Sequence, residues 1–384
     1  MRRAATGLLL VALGVLAGCP KSVDPGDPLP GLTREQQRRF LEGRIEFRRT
    51  FAPETGLGPL FNADSCAECH EDPVAGGTGD EVEIHVAAFD PLSGSCDPLI
   101  ERGGPVIQQQ ATPVLVAAMG IESEPVPAEA TAVARRSTPD ILGFGLLDAV
   151  PESTLLALAD PEDRDGDGIS GRPNRFFDGR IGRFGRKALV PTLREFNAGA
   201  FPIEQGITNP DVPDEETIGG LAIPPGVDPI PDPEISGEML DRTDDFVRFS
   251  AAPAHEKLTR TAEVGREIFS RIGCERCHVP TLETGDHAVK ALRHRTVRAY
   301  TDLLLHDMGP DLADICFGQA SPSEFRTEPL MGLRLSQRFL HDGRAGTVEQ
   351  AIELHAGEAA ASVGRFRALS QADRAALLEF LGSL

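Results

Sequence analysis

Tryptophan is absent from this chain of 384 residues, and Tyr300 is its only tyrosine. A relay of charge through oxidised aromatic side chains therefore has very few stations. A basic tract is also missing: 38 Lys and Arg stand against 59 Asp and Glu, a formal net charge of −21. Nucleic acid and anionic membrane surfaces are poor partners for such a chain. The apolar run from Leu8 to Ala17 falls short of the roughly 20 apolar residues that a bilayer span requires. What remains is an ordinary apolar content of 40%, enough for a core, and a length that accommodates two domains. The 31 prolines and 40 glycines imply extensive loops, which something has to hold in place.

Two short segments supply that something. Cys66-Ala67-Glu68-Cys69-His70 and Cys274-Glu275-Arg276-Cys277-His278 both read Cys-x-x-Cys-His, the attachment pattern of c-type haem. Two thiols form thioether links to the two vinyl groups of a haem, and the adjacent histidine reaches the iron as proximal ligand. A single copy has rivals, half a zinc site or a redox dithiol. Zinc would want the cysteines within one small module, and a dithiol has no need of the histidine. Two separated copies, each with its own histidine, predict two covalently bound haem c groups on Cys66, Cys69, His70 and Cys274, Cys277, His278.

The N-terminus agrees with the export that such haem requires. Arg2 and Arg3 precede the apolar run, which ends in Leu16-Ala17-Gly18-Cys19. Residues 1–18 read as a signal peptide and the Cys19 context resembles a lipobox, which implies lipidation of Cys19. Pro20 follows without a retention aspartate, so the expected location is the periplasm, with a lipid anchor in the outer membrane. Residues 19–32, rich in Pro, Gly and Asp, read as a flexible tether. Cys96 and Cys316 are then left over. In an oxidising compartment they either pair, tying the two halves together, or stay as two buried thiols.

Further along, Thr33-Arg34-Glu35-Gln36 predicts a capped helix with Phe40, Leu41, Ile45 and Phe47 inward. Val264, Ile268 and Ile272 predict a helix that Gly273 ends just before the second motif. Thr347 and Ser370 open two more, the last with Leu377, Leu378 and Leu381 along one side. Residues 208–242 are dense in Pro, Asp and Glu and read as a long surface excursion. The helix before the second motif and the one at the C-terminus resemble the arrangement of cytochrome c. The expected fold is mainly α with extensive loops, in two cytochrome c-like haem domains, residues 33–245 and 246–384. Asp163, Asp165 and Asp167, with Gly168 at position six, open like a calcium-binding loop, although position twelve is Asn174 where a glutamate is expected. The same acids also suit a solvated turn.

Several segments together resemble the bacterial di-haem oxidoreductases often named thiol oxidoreductases, relatives of the di-haem cytochrome c peroxidases. They are Gly56-Leu57-Gly58-Pro59-Leu60-Phe61-Asn62, residues 143–152, Gly182-Arg183-Phe184-Gly185, residues 302–309, and Phe339-Leu340-His341-Asp342-Gly343-Arg344-Ala345. The resemblance implies peroxidase-like electron transfer, with His70 serving the peroxidatic haem and His278 the electron-transfer haem. Related peroxidases carry a tryptophan between the haems, which this chain lacks. The resemblance also nominates Glu195, downstream of Phe176-Phe177-Asp178-Gly179-Arg180, as a distal acid–base group. For the sixth ligand of the second haem Met308 is the first choice, ahead of His306 and Met331, although a methionine is more often core filler. His85, His255, His287, His294 and His355 read as surface or structural, and His341 as structural. The expected partner is a redox protein, a small cytochrome or similar electron donor. A non-catalytic electron carrier and a redox-linked binding protein stand as the alternatives to an enzyme.

Overall fold

Two crossed helix pairs organise the computed structural model, which describes residues 23–384. Residues 1–18, read as a signal peptide, and Cys19 lie outside the described residues. The first pair is α1 (Arg34–Phe47) and α2 (Gly237–Phe249). Thr33 caps α1 reciprocally: its hydroxyl accepts from the Gln36 N–H at 3.2 Å, and Gln36 Oε1 accepts from the Thr33 N–H at 2.9 Å. The inward stripe is Phe40, Gly43 and Phe47, whereas Leu41 and Ile45, expected inside, are 53% and 67% exposed. Gly43 decides this. A Cβ there would stand 2.0 Å from the Arg242 carbonyl oxygen of α2, so the helices cross where one of them has no side chain, and the stripe containing the glycine faces in.

The second pair repeats the device. In α3 (Arg260–Arg271) and α4 (Gln371–Leu381), a Cβ on Gly265 would meet the Ala376 carbonyl oxygen, again at 2.0 Å. Ala262, Gly265, Ile268 and Phe269 are buried, while Val264, expected inside, is 44% exposed. Four residues after each glycine comes a phenylalanine, Phe47 or Phe269, whose ring lies 6.1 Å from His70 or 6.4 Å from His278.

Around these pairs the chain is mixed rather than mainly α: 34% is helical and 14% strand. The unanticipated element is a four-stranded antiparallel sheet. Its central β1 (Val82–Asp90) pairs with β2 (Ser95–Asp97), β3 (Val106–Ile107) and β4 (Ala132–Ser137), the last in register from Val82↔Ser137 to Ala87↔Ala132. Both faces of β1 are covered. Val86 packs with Leu99 and Ile107, while Ala87 packs with Ile315 and Cys316. Its sequence alternates apolar and polar residues only over Val82–Val86 and then runs apolar through Ala87, Ala88 and Phe89.

The halves interleave. Helix α2 runs through the boundary expected at 245/246 and packs on α1. Residues 305–326 fold back on the first half: Arg172 bridges to Leu305, Arg136 donates to Asp314 Oδ2 at 2.8 Å, and a disulfide joins Cys96 to Cys316 with Cα atoms 5.8 Å apart. Residues 27–32, read as tether, are instead held, with Leu29 N–H donating to the Phe249 carbonyl at 2.7 Å and Leu29 and Leu32 buried in the main core. Ile218, Val227 and Ile235 pin the supposed excursion of 208–242 to the body. Among the described residues no helix is long and apolar enough to cross a membrane.

Candidate functional site

Cys274 follows Phe269 closely, across the turn at Gly273, whereas Cys66 is reached from Phe47 through an 18-residue connection that carries the short strand Leu60–Phe61. Ser65 caps the short helix Cys66–Cys69, its hydroxyl accepting from the Glu68 N–H at 3.2 Å, and His70 ends it. Gly273, with φ of 90°, admits the turn that carries Cys274–Arg276. The histidines are then fixed in the same way. His70 Nδ1 donates to the Gly77 carbonyl at 3.0 Å, and His278 Nδ1 donates to the Tyr300 carbonyl at 2.9 Å. A carbonyl acceptor sets the tautomer and leaves Nε2 as the free lone pair, the orientation that metal-bound histidines adopt. Burial keeps both rings neutral; it pulls His278 down to about 4.

The thiols speak against the rival chemistries. Burial pushes Cys66 and Cys274 up to about 12 and raises Cys69 and Cys277 as well. A reactive dithiol needs the opposite shift. Among the described residues, the clusters able to hold a metal ion through three or more side chains are purely acidic. Thioether links to haem vinyl groups need neither a lowered pKa nor a cysteine cluster, and the residues present fit that group.

The second site opens on a cavity of about 280 Å³ lined mainly by apolar atoms, with Cys274, Cys277 and His278 in its wall. Met308, the expected sixth ligand, and Met331 share that wall, and so does His355, which the sequence reading set aside as structural. His355 ends the helix Val348–Leu354, and its Nδ1 donates to the Ala351 carbonyl at 2.6 Å. Its Nε2 is thereby left free, as in His278. The only local signal was a histidine just past the end of a capped helix. His306 is not available as a ligand: Asp302 holds its Nε2 at 2.8 Å and Glu358 its Nδ1 at 2.7 Å. Burial opposes its charge, but the two carboxylates hold its pKa well above the usual range. His341 stacks on Phe325 with centroids 4.3 Å apart.

Glu195 lies in the first turn of the helix Leu193–Gln205, which Thr192 caps; its carboxylate accepts from the Thr192 hydroxyl at 2.5 Å and the Arg180 guanidinium at 2.6 Å, it does not line the cavity of the second site, and Arg180 holds its carboxyl low. The carboxylates beside the first site are others. Gln205 accepts from Cys66 Sγ at 3.7 Å, and its neighbour Glu204 hydrogen-bonds Asn62 and Glu83. Glu83 in turn accepts from His85 Nε2 at 2.8 Å. Burial, and next the charge of Glu83, raise Glu204 well above the carboxylate range. Burial opposes ionisation of Glu83 too, but His85 and Glu204 hold it low, so the pair shares one proton, carried by Glu204.

The carboxylates of Asp163, Asp165 and Asp167 converge. Asn174 does not complete the loop: its Nδ2 donates to the Lys187 and Phe317 carbonyls, and its Oδ1 accepts from the Arg175 and Gln319 N–H groups. Asp167 instead pairs with Arg276, inside the second haem motif, at 2.8 Å. A second acidic cluster, Glu215, Asp228, Asp232 and Glu234, had no signature in the sequence.

No curated protein sequence matches the chain. Among solved structures, the chain is similar to a hydrazine synthase chain of Kuenenia stuttgartiensis, with 14% identity, 98% of this chain and 100% of that one covered, and a TM-score of 0.43. It is similar to a MauG-like protein associated with microbial copper homeostasis at 18% identity, with coverages of 96% and 94% and a TM-score of 0.41. The third is the di-haem peroxidase BthA of Burkholderia thailandensis, at 16% identity, with coverages of 95% and 89% and a TM-score of 0.43. The family described as "Di-haem oxidoreductase, putative peroxidase" matches residues 116–384, which is most of the chain and includes the second haem motif, and the chain belongs to that family.

Proposed function

We propose that this chain is an exported, lipid-anchored c-type cytochrome with two haem domains that reduces hydrogen peroxide with electrons drawn from a small redox protein. The observation that carries the reading is the doubled geometry: two helix pairs crossing at a glycine, two phenylalanines beside two histidines, and two Nδ1 atoms tied to carbonyls. Cys66 and Cys69 would hold one haem with His70 as ligand, and Cys274 and Cys277 the other with His278. Bound haem would supply an iron that changes oxidation state and, where its sixth position is open, takes up peroxide.

The chain's own residues do the rest. Gly77 and Tyr300 fix the two imidazoles by their carbonyls. His355 offers Nε2 to the cavity of the second site with its ring already oriented, and we take it in preference to Met308 as the sixth ligand there. Reduction of peroxide consumes two electrons and two protons and yields two waters. Glu204 holds a proton beside the first site, and Glu83, anchored by His85, is the base that keeps it there. These two replace Glu195 as the acid–base pair. The acidic surface suits a basic electron donor. Cys19 would carry the lipid, and the Asp163, Asp165 and Asp167 carboxylates would take calcium.

The test is a visible and paramagnetic-resonance spectrum of the matured protein in oxidised and half-reduced states, followed by peroxide turnover with a reduced small cytochrome. A high-spin signal in at least one redox state, with turnover, is expected. Two low-spin haems in every state and no turnover would make the chain an electron carrier instead. A mass lacking both prosthetic groups would sink the reading altogether.

A further inference from the structure

Arg326 is 5% exposed, yet most of its guanidinium is unused. Nη2 donates to Glu328 Oε2 at 2.8 Å, while Nε and Nη1 find no acceptor. Arg186 reaches the same Glu328 oxygen at 3.0 Å, and its other terminal nitrogen donates to the Ser137 carbonyl at 3.0 Å. Two guanidinium groups therefore share one carboxylate. Asp140 on the same wall does not correct the imbalance. Its Oδ1 accepts from the Leu142 N–H at 2.7 Å, and burial, with the charge of Glu328 adding to it, pushes its carboxyl up to about 7.

A buried cation with open donors is costly unless an anion meets it. The planar fork of arginine matches a carboxylate, whose two oxygens accept two parallel N–H bonds. Arg186 and Arg326 line the same cavity as Cys274, Cys277 and His278. A haem joined to the cysteines by its vinyl edge brings two carboxylates into that cavity on its opposite edge, and the remainder of the wall is mainly apolar.

We propose that Arg326, with Arg186, is the clamp for a propionate of the haem carried on Cys274 and Cys277, an inference that rests on the haem reading above. The guanidinium neutralises the carboxylate next to the iron, so its removal favours the oxidised, more positive haem.

The experiment begins with the wild-type holoprotein, whose mass and haemochrome spectrum establish two haems. Failure at that point sinks the haem reading and the clamp with it, whereas the steps that follow test the clamp alone. Spectroelectrochemical titration of Arg326→Gln and Arg326→Lys follows. One of the two midpoint potentials should fall in Arg326→Gln, fall less in Arg326→Lys, and the other should stay in place. Infrared redox-difference spectra of wild type, with the haem carboxylates labelled with carbon-13 through labelled aminolaevulinate, read the same contact without depending on the Gln variant folding. A labelled carboxylate band should shift on reduction, and Arg326→Lys should move it. Potentials and labelled bands untouched by either substitution would overturn the proposal. So would a saturable spectral response of wild type to added succinate that Arg326→Gln abolishes, because the site would then belong to a free carboxylate.

Discussion

Replacing Gly265 by alanine tests the crossing on which the second haem site stands. The new methyl would lie 2.0 Å from the Ala376 carbonyl oxygen and 2.8 Å from Phe380 Cβ, where ordinary contact begins at 3.4 Å. The α3–α4 pair must open by about 1.4 Å in an interior packed too densely to absorb it. Forcing an extra carbon into such a place costs roughly 1–3 kcal/mol, offset by about 1 kcal/mol from the better helix propensity of alanine. The net expectation is a loss of ~0–2 kcal/mol, toward its upper end because the clash is with backbone, read as a lowered urea midpoint of the holoprotein. Gly364 supplies the control, since a Cβ there meets nothing within 4 Å. Gly364→Ala should add ~0.4–1 kcal/mol of stability and so raise the midpoint. Phe269 sits one turn from Gly265 and against His278, so Gly265→Ala should also alter the spectrum of one haem and not the other. A Gly265→Ala protein as stable as wild type, with unchanged spectra, would refute the close-crossing argument.

Glu204→Gln should reduce peroxide turnover by roughly 10²–10⁴-fold while leaving haem content unchanged, and turnover of wild type should fall as pH rises through the raised pKa of Glu204; steady-state rates across pH check both. Glu124, 3% exposed, is raised to about 8, chiefly by burial. Its folded pKa lies above its unfolded one, so its contribution to stability is full below pH 4.5 and is lost as pH climbs toward 8, at up to about 1.4 kcal/mol per unit. Glu124→Gln should flatten that slope in urea midpoints measured at several pH values. Reducing the Cys96–Cys316 bond, which closes a separation of 220 residues, should cost ~2–5 kcal/mol, visible as a lower midpoint under reductant that a Cys96→Ser, Cys316→Ser protein does not show. His355→Gly should turn the second haem high-spin and added imidazole should restore it, whereas Met308→Leu should leave the spectrum unchanged.

The two haem motifs and the capped helices were legible because each is a local pattern: a fixed spacing of thiols and histidine, or a hydroxyl at a helix start. The inward face of α1 and α3 was not. Hydrophobicity alone nominated Leu41, Ile45 and Val264, whereas the crossing is set by Gly43 and Gly265, whose importance lies in what a neighbouring carbonyl occupies. The sheet escaped because two of its strands are only three and two residues long and the alternation of β1 stops at Val86. Glu204, Glu83 and Arg326 escaped for a different reason: nothing in the sequence near any of them indicates burial, and their chemistry comes from neighbours far away in the chain. Glu195 shows the converse, an acid nominated by family likeness that the fold engages in an ion pair with Arg180.

The stapling of the halves has a consequence for rate. Tunnelling between redox centres decays steeply with separation, and two domains on a loose linker would sample many separations. Here the Cys96–Cys316 bond, the Arg136–Asp314 pair and the Arg172–Leu305 bridge lock both histidines into one frame. Internal electron exchange would then run at a single pace set by the architecture, and only the encounter with an outside donor would vary with ionic strength and concentration.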